Sequence, residues 1–463
     1  MKRFFAIIVS LIMVVCITLT GCNSEIDRDK ELQNVLKSTN AELSNTFAGP
    51  ECDFALITEY LSSWAKASGT QVRKVTEDYI VLDNPATKGN KKKALTVLQC
   101  SVDTEDVVAS LDGLATSLTS FLGPLEHGPI RLIVTAHADR NFYGAKAVPA
   151  GYLKNAHVIN LNSETSEKVY LSSYKCTNAV ISGELSKRAP KYAQAYKITM
   201  TIPEYTDPFS FDKGNNYPNP IQTIGNLLAG VKSAGKLFEI ASFTSKANDG
   251  YTPYTATAIV VIDANNVEAF TKRFDKANDS VADKFDNLEG SYIFTMDETD
   301  MPKRVLTDQS TDKLISLMYT MKSGVYEQDE DSGRVESASS IQAITMKDGR
   351  INLHVAIKGR NSEMTSHIVD DFHTTCGLCD MDFHCPKANY LWKANNKSKL
   401  LGFLRDSEII DLADDTASLR NGECDFITAA YPGIADMISY HYKAENDKRI
   451  LKTITSFIES QVE

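Results

Sequence analysis

Basic residues are in deficit in this chain. Over 463 residues it carries 49 Lys and Arg against 60 Asp and Glu, a net charge of −11 at pH 7, and no basic stripe runs along it. Without that electrostatic footprint a nucleic-acid role is excluded. Internal repeats and low-complexity tracts are also missing. With 43% hydrophobic and 24% charged residues, the composition excludes disorder, collagen and coiled coil. No Gly-x-Ser-x-Gly nucleophile elbow occurs. The nearest approach to a phosphate loop, Gly225 to Ser233, has Val231 between Gly230 and Lys232 and reads as an ordinary helix. Cys376-Gly377-Leu378-Cys379, with His373, His384 and Cys385 nearby, has no second Cys-x-x-Cys to complete a zinc site. What remains is a globular chain with room for two or three domains at ~100–200 residues each.

The N-terminus stands apart from the fold. Lys2 and Arg3 precede a nearly unbroken apolar run from Phe4 to Thr20, which ends in Leu19-Thr20-Gly21-Cys22. The run is short for a transmembrane helix and has the build of a secretory signal over residues 1–21. Its end looks like a bacterial lipoprotein box. In that pattern the Cys22 thiol carries a diacylglycerol, and palmitate-length chains at ~0.8 kcal/mol per buried methylene anchor the protein firmly. The expected location is therefore the extracytoplasmic face of a bacterial cell membrane. Cleavage removes two cations and no acid, taking the net charge from −11 to −13. Residues 22–45 read as a polar tether with a short helix around Lys30–Leu43. Export permits disulfides. Seven cysteines remain after Cys16 and Cys22, an odd number, so at least one thiol stays unpaired within the chain. Cys376, Cys379 and Cys385 are the candidate disulfide group, with a redox or sorting role as another option.

Farther on, elements alternate. Phe54, Ile57, Leu61 and Trp64 recur at helical spacing, which predicts a helix over Asp53–Ala67. Tyr79–Leu82 and Ala94–Gln99 read as strands around an exposed, lysine-ended loop from Asn84 to Lys93. Leu111–Leu122 is a helix stopped by Gly123-Pro124, while Arg131–Thr135 and His157–Leu161 have the β-branched texture of buried strands. Such alternation argues for an α/β layered domain. The texture changes near Pro190. Beyond it, Tyr196–Ile202 and Ala256–Ile262 read as strands, and Ile221–Val231, Val267–Phe274 and Leu314–Met321 as helices. Ile341–Met346 and Ile351–Lys358 form a hairpin across Lys347-Asp348-Gly349. A final helix carries Ile450, Leu451, Ile454, Phe457 and Ile458 on one face.

Several stretches in order resemble the bacterial Xaa-His dipeptidases, two-zinc exopeptidases of the aminoacyl-histidine or carnosinase-like type. They include Leu56-Ile57-Thr58-Glu59-Tyr60-Leu61, Val97-Leu98-Gln99, His127-Gly128-Pro129, Gly144-Ala145-Lys146-Ala147, Ile159-Asn160, and Glu423-Cys424. The resemblance spans roughly residues 45–463. It implies a zinc-exopeptidase-like α/β/α catalytic domain over 45–190 and 390–463, with an inserted α+β lid and dimerisation domain over 191–389.

The same resemblance shows where this chain departs. Two zinc ions need imidazole and carboxylate ligands with an open position for water. Ser101 stands where the first histidine ligand is implied, and Asp103 remains as the residue that would orient it. Leu111 falls at the bridging carboxylate, with Asp112 one residue late. Ala138 replaces the general base, and an alanine moves no protons; Asp139 follows it as a ligand remnant. Asn162 replaces a further ligand carboxylate, Asp207 the lid histidine, and Ser439-Tyr440-His441 lies near the last one. The expectation is a degenerate member: exported, lipid-anchored, non-catalytic, with no cofactor, binding peptides or a cell-surface protein in the cleft under the lid, and able to form a homodimer. The alternative is an active dipeptidase or hydrolase with a reduced site, one zinc held by Asp112, Asp139 and His137 or His441.

Overall fold

Strand ends, rather than strand counts, decide where a site can form. In the computed structural model the described residues are 25–47, 53–103, 107–138, 142–163, 168–204, 206–211, 216–247, 252–285, 291–406, 417–420, 422–430, 436–442 and 447–462. They divide into two compact units, one built from residues 1–173 with 391–463, the other from Tyr174–Tyr390.

The first unit is organised by a seven-stranded sheet. Its strands are β1 (Gln71–Val75), β2 (Tyr79–Asn84), β3 (Leu95–Ser101), β4 (Ile130–Thr135), β5 (Ala156–Ser163), β6 (Lys168–Tyr170) and a C-terminal strand, Asp436–Tyr442, in the order β1-β2-β4-β3-β5-C-terminal strand-β6. β4, β3, β5 and the C-terminal strand run parallel; β2 and β6 pair antiparallel to this set at its two sides, and β1 pairs antiparallel to β2. Parallel strands are covered on both faces, which is why Ile130–Thr135 is buried throughout. Leu98, Leu132 and Val134 face one core with the helices α1 (Glu25–Thr46), α2 (Phe54–Ser68) and α3 (Val107–Leu122) and the last helix, Asp447–Ser460. Val97, Ile133 and Val158 face the other with Trp392, Cys424 and Ile427. This is the α/β layering that the alternating elements predict, and the zinc-exopeptidase-like arrangement that the resemblance implies is consistent with it.

Helix ends follow local chemistry. Asp53 accepts a hydrogen bond from the Leu56 N–H (2.9 Å) to cap α2, and Gly69 closes it at φ 74°. α3 ends at Gly123, where an added Cβ would lie 3.0 Å from the Thr119 carbonyl and from Thr455. One segment differs from its expected form. Instead of a tether with a short helix, Glu25–Thr46 is a 22-residue helix whose Leu32, Val35, Leu36 and Leu43 are buried. Arg28 makes a two-pronged contact with Glu459 on the last helix (2.9 and 2.5 Å). The sparse apolar positions of α1 are enough to dock it.

The second unit is α+β. A four-stranded antiparallel sheet takes Phe238–Ala247, Pro253–Ile262, Gln194–Thr201 and Ile293–Glu298 in that order. A second sheet holds Val335–Lys347, Arg350–Gly359 and Lys175–Glu184, with shorter strands outside them. Because Lys175–Glu184 pairs with Arg350–Gly359, the unit begins at Tyr174, not near Pro190. The hairpin turn falls on Asp348 and Gly349, both at positive φ (51° and 78°), as a two-residue primed turn requires.

Candidate functional site

In an open α/β sheet, ligands bind beyond the carboxyl ends of the parallel strands. Four such ends meet here. Ser101 pairs with Thr135, Cys100 with Leu161, and Asn162 with His441. Side chains two residues apart share a face. Gln99 and Ser101, Thr135, Asn160 and Asn162, and Ser439 and His441 therefore project to the same side of the sheet.

They converge on a carboxyl. Glu423, in the first turn of the helix Glu423–Ala430, is 1% exposed. Its Oε1 accepts from Thr135 Oγ1 (2.7 Å) and Gln99 Nε2 (2.5 Å), and its Oε2 accepts from Asn160 Nδ2 (2.6 Å). Asn160 Nδ2 also donates to Gln99 Oε1 (2.5 Å), while Asn160 Oδ1 accepts from Asn162 Nδ2 (2.6 Å) and Ser439 Oγ (2.5 Å). His441 Nε2 lies 2.9 Å from Ser439 Oγ, and its ring meets Tyr170 edge-on at 4.8 Å. Each amide is thereby oriented by the next: Glu423 fixes Asn160, and Asn160 holds the Ser439 proton. With that proton committed to an amide oxygen, His441 Nε2 carries hydrogen and donates to Ser439.

Burial dominates the electrostatics. It pushes the Glu423 carboxyl above its ordinary range, against the pull of Thr135, Gln99, Asn160 and Ser101, which all donate to it. The Cys100 thiol is raised to about 12 by burial, with the Glu423 charge adding to the rise and Ser117 opposing it. Cys424 is raised for the same first reason, with Asp425 and Glu423 adding to it. Neither thiol is a nucleophile in this setting.

The other residues singled out from sequence fall in several places. Ser101 is the last residue of β3, and Asn162 lies one residue before the end of β5. Asp103 follows β3, and its N–H donates to Ser110 Oγ (2.8 Å). Leu111 is buried in the core, and Asp112 accepts from Asn40 on α1. Ala138 follows β4, its N–H donating to Val102 O (3.3 Å). His137 just before it has φ 59°. Asp207, in the second unit, accepts from the Phe209 N–H (2.9 Å) within its own loop. Cys376 and Cys379 end the helix Ser362–Leu378 inside the second unit's core, and Cys385 Sγ lies 3.6 Å from Thr177 Oγ1; all three are free thiols, with burial raising each. Asp139 and Cys22 lie outside the described residues.

The sequence by itself assigns no role to Glu423, nor to Gln99, Thr135 and Asn160. Their signal is polar residues two apart at the ends of otherwise apolar strands, in Gln99-Cys100-Ser101, Asn160-Leu161-Asn162 and Ser439-Tyr440-His441.

The chain is 20% identical over 433 residues to the cytosol non-specific dipeptidase of Escherichia coli (strain K12), covering 83% of this chain and 86% of that protein. Its fold matches the crystal structure of aminoacylhistidine dipeptidase from Vibrio alginolyticus, with a TM-score of 0.54 at 17% identity over 95% of this chain and 98% of that one. This chain is a dipeptidase-like homologue. Aminopeptidase PepT from Bacillus cereus aligns over 94% and 99% of the two chains with a TM-score of 0.46 and 10% identity. No family model matches the chain.

The metal pair that the resemblance implies does not fit this homologue's described donors. Ser101, Asn162 and Ser439 are neutral, His441 is a single imidazole, and both oxygens of Glu423 already accept hydrogen bonds. Among the described residues, no three His, Cys, Asp or Glu side chains gather where they could hold a metal ion. Two dications close together need several anionic ligands to offset their repulsion.

Proposed function

We propose that this dipeptidase-like homologue is an exported, lipid-anchored protein that binds a peptide or a protein partner at its strand ends without hydrolysing it. One observation carries the proposal: at the strand ends, amides and hydroxyls satisfy one another around the Glu423 carboxyl. A self-satisfied network has little left to offer a cation, and Ala138 supplies no base to activate water. Ser101, Asn162 and His441, which stand partly exposed at the strand ends, offer polar groups to a peptide.

The test is elemental analysis of the full-length protein, purified without added metal, together with release of histidine from Xaa-His dipeptides. Zinc well below one equivalent and no release are expected. Stoichiometric zinc with turnover would overturn the proposal and favour a reduced metal site.

A further inference from the structure

Cys376 and Cys379 take no part in the strand-end site. Both lie in the second unit, at the end of the helix Ser362–Leu378. Two hydrogen bonds close that end as a Schellman motif. The Met381 N–H donates to Cys376 O (2.9 Å) and the Asp380 N–H to Gly377 O (3.3 Å), with Asp380 at φ 52° where glycine is usual. The Cys379 N–H still donates to Thr375 O (3.0 Å), so the last turn is α-helical. Helix geometry puts Cα atoms three residues apart about 5 Å from each other, with side chains about 60° apart around the axis. A disulfide accepts Cα atoms ~4.4–6.8 Å apart. The Cβ atoms of such a helical pair lie ~5–6 Å apart, against ~3.5–4.5 Å in a disulfide. Bonding therefore needs the turn to tighten by about 1–2 Å, toward the 3₁₀ form in which residues three apart eclipse. The pair is near enough to bridge but is not set in the bridged shape.

Burial and position separate this pair from the other described cysteines. Cys376 is 0% and Cys379 6% exposed, and both pack in the unit's core with Met381. The outer side of the same turn is bare: Gly377 and Asp380 are exposed, and Leu378 is 83% exposed. Helix ends are where a fold opens most readily, and this one carries two thiols on its inner side. Cys100 and Cys424 belong to cores on opposite sides of the first unit's sheet, so they do not face each other. Cys176 and Thr177 are neighbours on one strand and project to opposite faces. Cys385 Sγ lies 3.6 Å from Thr177 Oγ1, on the face away from Cys176.

We infer that Cys376 and Cys379 form a thiol–disulfide exchange site whose co-substrate is a small soluble disulfide, and that their bridge is reversible. Cys379, the less buried thiol, reacts first. Its sulfur bonds to one sulfur of the external disulfide, and the other leaves as a thiol. Cys376 then attacks the Cys379 sulfur and expels the second external sulfur. One S–S bond breaks and one forms, and the two cysteine protons pass to the two released thiols. The tightened turn makes the bridge labile, so an external thiol runs the same exchange backward. Burial raises both thiols and slows each step, because the thiolate is the attacking form. None of this depends on anchoring or on what the strand ends bind.

The test starts from reduced full-length protein and hydroxyethyl disulfide. Samples are quenched in acid, remaining thiols are alkylated, and tryptic peptides are read by mass spectrometry. Residues 361–387 form one peptide that holds Cys376, Cys379 and Cys385, and fragment ions locate each modification. A Cys376–Cys379 bond, with Cys385 alkylated, should form at least about ten-fold faster than Cys100 or Cys424 is modified. Dithiothreitol should reopen it in the native protein. Cys376→Ala, which cannot complete the second step, should keep hydroxyethyl on Cys379. A bond to Cys385, or Cys376 and Cys379 both still alkylated once Cys100 has reacted, overturns the inference. A bond that dithiothreitol opens only in urea refutes the exchange and makes the pair a permanent staple. The native chain decides these outcomes by itself, so a variant that fails to fold leaves the test intact.

Discussion

Glu423 is the residue on which the site's neutral character depends, and its replacement has a calculable cost. In Glu423→Ala, Thr135 Oγ1, Gln99 Nε2 and Asn160 Nδ2 lose the Glu423 acceptor and keep only their second ones, Cys100 O (3.4 Å), Thr135 Oγ1 (3.2 Å) and Gln99 Oε1 (2.5 Å). A buried polar group left fully unsatisfied costs about 1–3 kcal/mol, so about 3–9 kcal/mol is the upper range for three, and the second acceptors lower it. Relief of the buried carboxyl's desolvation brings the expectation to the lower end, about 3 kcal/mol. Glu423→Gln keeps the shape but turns an NH2 toward one of these donors, costing about 1–3 kcal/mol at neutral pH. The assay is urea unfolding followed by tryptophan fluorescence. The chain's two tryptophans, Trp64 and Trp392, are both buried in the first unit, so the signal reports that unit. The pH dependence has a definite sign. Burial raises the folded carboxyl above its unfolded value, so its stability contribution is present below about pH 4.3 and is lost as pH rises through the folded value. The stability difference between the native protein and Glu423→Gln should therefore shrink from pH 4.5 to pH 8. A Glu423→Ala protein within about 0.5 kcal/mol of the native one, or a gap that widens with pH, would refute the network as described.

Further outcomes arise from packing. Gly144 admits no side chain, because a Cβ there would lie 2.5 Å from the Ala136 and Asp78 carbonyl oxygens; Gly144→Ala should lower stability by at least about 2 kcal/mol in the same urea assay. Leu36→Ala should cost about 2–5 kcal/mol and speed proteolysis within α1, since Leu36 is a core residue; a mere tether would show neither effect. Gly349→Ala should lower the melting temperature by a few degrees, because alanine at φ 78° is strained by about 1 kcal/mol. Asp53→Ala removes the α2 cap and should cost about 1 kcal/mol by urea titration.

How far the fold is legible in the sequence depends on how local its causes are. Periodicity alone locates β2 to β5, α2, α3 and the last helix, because their apolar spacing is dictated by the faces they bury. The Asp348-Gly349 turn is legible from two residues, since few dipeptides accept positive φ at both positions. The pattern of α1 suggests too short a helix because its buried leucines are spread among polar residues, and docking onto α3 and the last helix, which no local pattern reveals, decides its length. The site shows the same divide. Ser101 and Asn162 can be placed from the order of matching segments, and they stand at the strand ends. Glu423 cannot be given its role that way, because its partners Gln99, Thr135 and Asn160 lie 324, 288 and 263 residues away in sequence. Only the sheet order, which sets the C-terminal strand beside β5, brings them together. A resemblance can mark positions where expected ligands are replaced, but it does not say what fills the space they leave. Here hydrogen-bond capacity answers that question. A carboxyl accepting from three donors, one of which is an amide that in turn accepts from two more groups, satisfies internally the polar demand that exposed ligands would have directed outward.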